Sequence, residues 1–164
     1  MKATELLALL REFYREKLAM RERHVAAARF VGDYDFNNTY QYVINREDAQ
    51  LGWLRSAVVD MGGTPDTVPE LQIDGSGKRD EMQSRVMAED RDSARAFVEK
   101  WRPRIQAMPN ARHRTMLQVI IGETVEHQRF FEQALAGRTD LLGRRADGAG
   151  TDGFVLPERW VGGR

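Results

Sequence analysis

Acidic, imidazole and amide side chains stand at positions where the sequence otherwise spaces apolar residues for the inside of a helix. Between Phe36 and Met61 the 3-4-3-4 ladder Phe36, Tyr40, Val43, Glu47, Gln50, Leu54, Ala57, Met61 is apolar except at Glu47 and Gln50. Three other segments are interrupted in the same way. Glu16 and Arg23 break the ladder Leu9, Phe13, Glu16, Met20, Arg23, Ala27. Asp90 breaks Met87, Asp90, Ala94, Phe97, Trp101, and Thr124 and His127 break Leu117, Ile120, Thr124, His127, Phe131, Ala134. Carboxylate, imidazole and amide are the ligand types left to a metal in a chain without cysteine. An ionised group costs several kcal/mol to bury unpaired, so such a cluster demands a metal, another cation or shared protons.

The elements that must hold these residues are helices. The first runs from about Thr4, a candidate N-cap, to Val31, and "GDYD" turns the chain into a second from about Phe36 to Met61. The stretch "GTPDTVPELQIDGSG" then interrupts helical periodicity with two prolines and three glycines. A third helix spans Lys78 to Met108 and contains Pro103, which is expected to kink it or end it early. After "MPN", with Asn110 as candidate N-cap, a fourth helix reaches about Ala136, where Gly137 suits a C-terminal cap. Short turn, long connection, short turn predicts an all-α, up-down-down-up four-helix bundle over residues 1–144 with one long crossover between the second and third helices. Residues 145–164 read as a flexible Gly-rich tail, with "FVLPERWV" as a candidate docking peptide.

Facing residues of an antiparallel hairpin lie equally far from its turn. The midpoint of positions 16 and 50 is residue 33, inside "GDYD", and that of 90 and 127 falls inside "MPN". Glu16, Glu47, Gln50, Asp90, Thr124 and His127 are therefore expected in one polar pocket. Composition narrows the rest. With 25 basic and 25 acidic residues the formal net charge is zero, which gives no reason to expect nucleic acid or an anionic membrane as partner. The absence of cysteine excludes disulfides and thiol chemistry. The opening "MKATELLALLREFYREK" is too charged for a signal peptide or a membrane span, so a cytoplasmic protein is expected. "DGSGK" lacks the spacing of a phosphate loop, and no organic cofactor site is evident. Trp53, Trp101, Tyr40, Phe97, Phe130 and Phe131 fit core packing, while His24 and His113 are expected at the surface or rim.

These features resemble the ferritin-like superfamily, most closely its bacterioferritin and rubrerythrin branches, in which a Glu, an E-x-x-H, a Glu and a second E-x-x-H from four helices hold two metal ions. In "REKLAMRERHVAAARF", Glu16 falls at the first-helix glutamate. Glu47 stands for the E of the first E-x-x-H, Asp90 in "AEDRDSARAF" for the third-helix carboxylate, and His127 in "ETVEHQRFFEQAL" for the second histidine. Glu89 is the off-by-one alternative to Asp90. The resemblance implies one or two Fe or Mn ions, oxygen or peroxide activation or Fe(II) oxidation, and a homo-oligomer, dimer or larger.

Two departures bear on function. Gln50 replaces the first histidine and Thr124 the second glutamate, so three carboxylates and one imidazole remain. Glu123, four residues before His127, is a candidate substitute bridge, and Glu126 is expected in solvent. Two readings stand at this stage. One is a metal site of Glu16, Glu47, Asp90, Glu123 and His127. The other is a metal-free structural or interaction module in which Arg23 pairs with Glu16 or Glu47 and hydrogen bonds close the pocket.

Overall fold

The computed structural model describes residues 1–142, so the tail at 145–164 lies outside the described residues. Its elements are four helices: α1 (Ala3–Ala28), α2 (Tyr34–Asp60), α3 (Arg79–Gln106) and α4 (Ala111–Leu135). None is long and apolar enough to cross a membrane. Local chemistry sets their ends. The N-cap of α1 is Lys2 rather than Thr4, with Glu5 accepting from the Lys2 backbone N–H at 2.7 Å. Asp33 caps α2 by accepting from the N–H groups of Asp35 and Phe36, and Asn110 caps α4 by accepting from that of His113. α2 and α4 stop at left-handed glycines, Gly62 at φ 78° and Gly137 at φ 88°. Each carries the paired end-of-helix bonds, Gly63 N–H to Val58 and Gly62 N–H to Val59, and Arg138 N–H to Gln133 and Gly137 N–H to Ala134. Pro103 neither ends α3 nor lies in its middle. It sits exposed in the last turn, where the helix has few bonds left to lose.

α1 packs on α2 and α3, and α4 on α3 and α2. Contacts between α1 and α3 run in opposite sequence senses, from Glu12 with Arg104 through Phe13 with Phe97 to Arg23 with Asp90. The same holds for α2 and α4, from Tyr42 with Phe130 to Arg46 with Glu123. The connection 61–78 travels along α1. Gly63 lies against Leu7, Asp66 pairs with Arg11, and Gly75 lies against Phe30.

The interior has three tiers. One apolar cluster contains Leu10, Phe13, Leu54, Val58, Trp101, Ile105, Leu117 and Ile120, with Phe13 edge-on to both Phe97 and Trp101. A second, near the α1–α2 turn, contains Ala27, Val31, Tyr40, Val43, Val86, Met87 and Phe131. Between them, every helix contributes buried polar groups: Lys17 and His24, Glu47 and Gln50, Asp90, and Thr124 and His127. Trp53 departs from the expected core role, for it is 40 % exposed.

Candidate functional site

The polar tier is built around a lysine. The apolar stripe of α1 passes through Leu10, Phe13, Lys17, His24 and Ala27, one residue on from the expected one in mid-helix. Lys17 is fully buried; its stem lies in the apolar interior and its ammonium ends among oxygens. Nζ donates to Glu47 Oε1 at 3.1 Å and to Thr124 Oγ1 at 3.2 Å, and it lies 5.5 Å from the centre of the Phe97 ring. The Thr124 hydroxyl donates in turn to the Ile120 carbonyl at 2.8 Å.

His24 lies beside it. Its Nδ1 is 2.8 Å from Glu47 Oε2, and its Nε2 is 4.0 Å from Asp90 Oδ1. Asp90 is held from two sides: Arg23 Nε donates to Oδ1 at 2.7 Å, and the Tyr40 hydroxyl donates to Oδ2 at 2.5 Å. The second branch of Arg23 donates to the exposed Glu89 at 2.6 Å. Each oxygen of the two buried carboxylates thus has a donor. Burial opposes ionisation of Glu47, but the charges of His24 and Lys17 outweigh it and hold the carboxyl at about 2. Burial likewise opposes protonation of His24, yet Glu47 and then Asp90 carry its pKa above the ordinary value. Burial and Asp90 together push the Tyr40 phenol well up, so it remains a hydrogen-bond donor.

The opposite side of the tier is less completely paired. Gln50 Nε2 donates to Glu123, which also accepts from Arg46 at 2.6 Å. Gln50 Oε1 and His127 Nδ1 are buried without a hydrogen-bond partner among the described residues. Burial, and then the positive charge of Lys17, hold His127 down to about 3, so it is a neutral imidazole at pH 7.

The structure thus brings Glu47, Gln50, Asp90, Thr124 and His127 to one level, with Glu123 at its edge. It does not bring Glu16 there. Glu16 is half-buried on the α1–α3 seam, where it accepts from Trp101 Nε1 at 2.8 Å and pairs with Lys100. The reason is rotational: adjacent helical residues point about 100° apart, so burying Lys17 turns Glu16 toward α3. Arg23 pairs with Asp90 and Glu89, not with Glu16 or Glu47. His24 is buried rather than at the rim, while His113 is half-buried beside Asn110. Sequence reasoning missed Lys17 and His24. The signal was present: they stand seven residues apart, two turns on one face, in step with Leu10 and Phe13.

The ferritin-like resemblance implies Fe or Mn, and the donor set does not fit them. Glu47 and Asp90 carry two negative charges, and the adjoining Lys17 and Arg23 already supply two positive ones before any proton on His24. A divalent ion would enter beside an ammonium and compete for oxygens that are already bonded. Among the described residues, no group of three or more His, Asp or Glu side chains is arranged to hold a metal ion. Compared with protein-family models, curated proteins and solved structures, the chain matches none.

Proposed function

We propose that this chain is a ferritin-like four-helix module in which fixed cationic side chains do the work a metal pair does in metal-binding members of that superfamily. The antiparallel neighbours, the connection along α1 and the carboxylates at mid-height support the ferritin-like, up-down-down-up reading. On this reading the chain is a structural or interaction module, not an oxidoreductase.

One observation carries the proposal: the Lys17 ammonium stands in the bundle interior, bonded to Glu47 of α2 and Thr124 of α4. Thr124 is where the second bridging glutamate would be expected, and its neutral hydroxyl accepts from Lys17 without a further buried carboxylate. With Arg23 on Asp90, each of the two buried carboxylates has a fixed cationic partner.

The test is elemental analysis of the full chain purified from cells grown with added iron and manganese, followed by titration of the purified chain with each ion. The expected result is no retained metal and no heat of binding. Retention of about one equivalent or more per chain, surviving gel filtration, would overturn the metal-free reading and restore the Fe or Mn site.

A further inference from the structure

The N-terminal half of α2 has a composition unlike the rest of the chain. Charged residues make up 30% of the sequence, yet the ten residues 36–45, "FNNTYQYVIN", contain none. Asn and Tyr are weak helix formers, so a face that served only solvation would gain stability from Lys or Glu in their place. Here three amides stand in one line instead. Asn38, Gln41 and Asn45 follow Tyr34 at intervals of four, three and four residues and so share one face. Asp35, Thr39 and Tyr42 form a second row beside them. Both rows line a half-open cleft of about 360 Å³. The neighbouring Asn37 amide donates to the carbonyls of Ala28 and Val31, whereas the side chains of Asn38, Gln41 and Asn45 have no hydrogen bond among the described residues.

The opposite wall is built by residues 139–142, beyond the left-handed Gly137 that ends α4. Leu141 is buried against Phe36, Tyr40, Phe130 and Phe131, which pins this segment beside α2. Asp140 accepts from Arg138 Nε at 2.5 Å and Nη2 at 3.2 Å, so its charge is already matched. Tyr42 is fixed edge-on to Phe130, with 5.9 Å between ring centres. The lining selects by chemistry. No Lys, Arg or His lines the cleft, while Asp35 does, so phosphates and carboxylates are disfavoured. An apolar ligand would strip water from three amides and offer them no hydrogen bond. A polyamine would meet one unmatched carboxylate for its several charges. A neutral polyol suits the site, because each hydroxyl both donates and accepts, as an amide does. A tyrosine ring adds an apolar face for the C–H side of a sugar ring. The cleft lies at the small end of the ~300–1,000 Å³ typical of small-molecule sites, which matches a ligand of one or two rings.

We propose that the cleft between the N-terminal half of α2 and residues 139–142 binds a neutral mono- or disaccharide, its hydroxyls held by Asn38, Gln41 and Asn45 and a ring face by Tyr42. Amide NMR titration of the full chain tests this, with glucose, mannose, N-acetylglucosamine and maltose as probes up to about 50 mM, beside putrescine and inorganic phosphate. At least one sugar should give saturable shifts confined to residues 34–45 and 138–142, with a Kd of about 0.1–10 mM for a ligand of this size. Asn38→Ala with Gln41→Ala removes two hydrogen-bonding groups that bond to no described residue. The thermal midpoint of that variant should hold or rise, since Ala is the better helix former, while its sugar affinity falls by roughly tenfold or more. No saturable shift with any of the four sugars overturns the proposal, whether the cleft stands open or another part of the chain fills it. So does tighter binding of putrescine or phosphate at these residues, or sugar binding that is undiminished in the double variant.

Discussion

Replacing Lys17 by methionine keeps the apolar stem and deletes only the ammonium. Glu47 Oε1 and Thr124 Oγ1 then lose their donors at 3.1 and 3.2 Å, inside a tier that water does not reach. Breaking a buried ion pair from one side costs about 3–5 kcal/mol, because the remaining charge stays buried. Glu47 keeps His24 at 2.8 Å, so the lower part of that range, about 3–4 kcal/mol, is expected. At about 2–4 °C per kcal/mol for a domain of this size, the midpoint should fall by roughly 5–15 °C. Thermal and urea unfolding followed by circular dichroism at 222 nm would measure it. The double variant Lys17→Met with Glu47→Leu removes both charges and should recover most of the loss, leaving a coupling of about 2 kcal/mol or more between the sites. A Lys17→Met midpoint within about 2 °C of wild type, or purely additive losses in the double variant, would refute the placement of Lys17 as the internal counter-charge.

The two buried histidines make opposite contributions to pH dependence. His24 has its folded pKa raised, so its stabilisation is complete below the unfolded value of about 6.5 and is lost as pH rises through the folded pKa. His127 is depressed to about 3, so its contribution is complete above about 6.5 and declines as pH falls toward about 3. Glu47, lowered to about 2, adds a further loss below its unfolded value of about 4.5. Stability should therefore peak near neutrality; urea midpoints across the pH range check this, and His127→Phe should flatten the limb between pH 6 and 5 while leaving the alkaline limb intact. Tyr40→Phe removes a 2.5 Å bond to the buried Asp90 and should cost about 1.5–3 kcal/mol, whereas a neutral result in urea unfolding would show that Arg23 alone suffices for that carboxylate.

The helices were largely legible in the sequence because their terminating chemistry is local. Asn110 as N-cap and Gly137 just beyond the C-terminus of α4 announce themselves without knowledge of the rest of the fold. The level of the polar tier was legible on α2, α3 and α4, where each polar residue interrupts an otherwise apolar ladder. On α1 it was not. Residues 15 to 24 are so rich in charge that two ladders one residue apart, through Glu16 and Arg23 or through Lys17 and His24, compete in mid-helix. Only packing against α3 decides between them, since Trp101 and Lys100 offer Glu16 a place on the seam. Trp53 was misplaced for a related reason. Aromatic identity suggests burial, but Trp53 lies off the Glu47–Gln50–Leu54 face.

The three-tiered interior also restricts which alternative bundles this sequence can form. Aliphatic cores tolerate sliding, because one leucine fills another's place at modest cost. Here a slide of α1 by a single turn, about 5.4 Å, would carry Lys17 toward the apolar layer of Leu54 and Trp101 and away from Glu47. The penalty for stranding such a charge is several kcal/mol, a large part of the ~5–15 kcal/mol that holds a domain together. A layer that adds little net stability to the correct arrangement can thus fix the vertical alignment of all four helices, with an error cost that falls only on misaligned states.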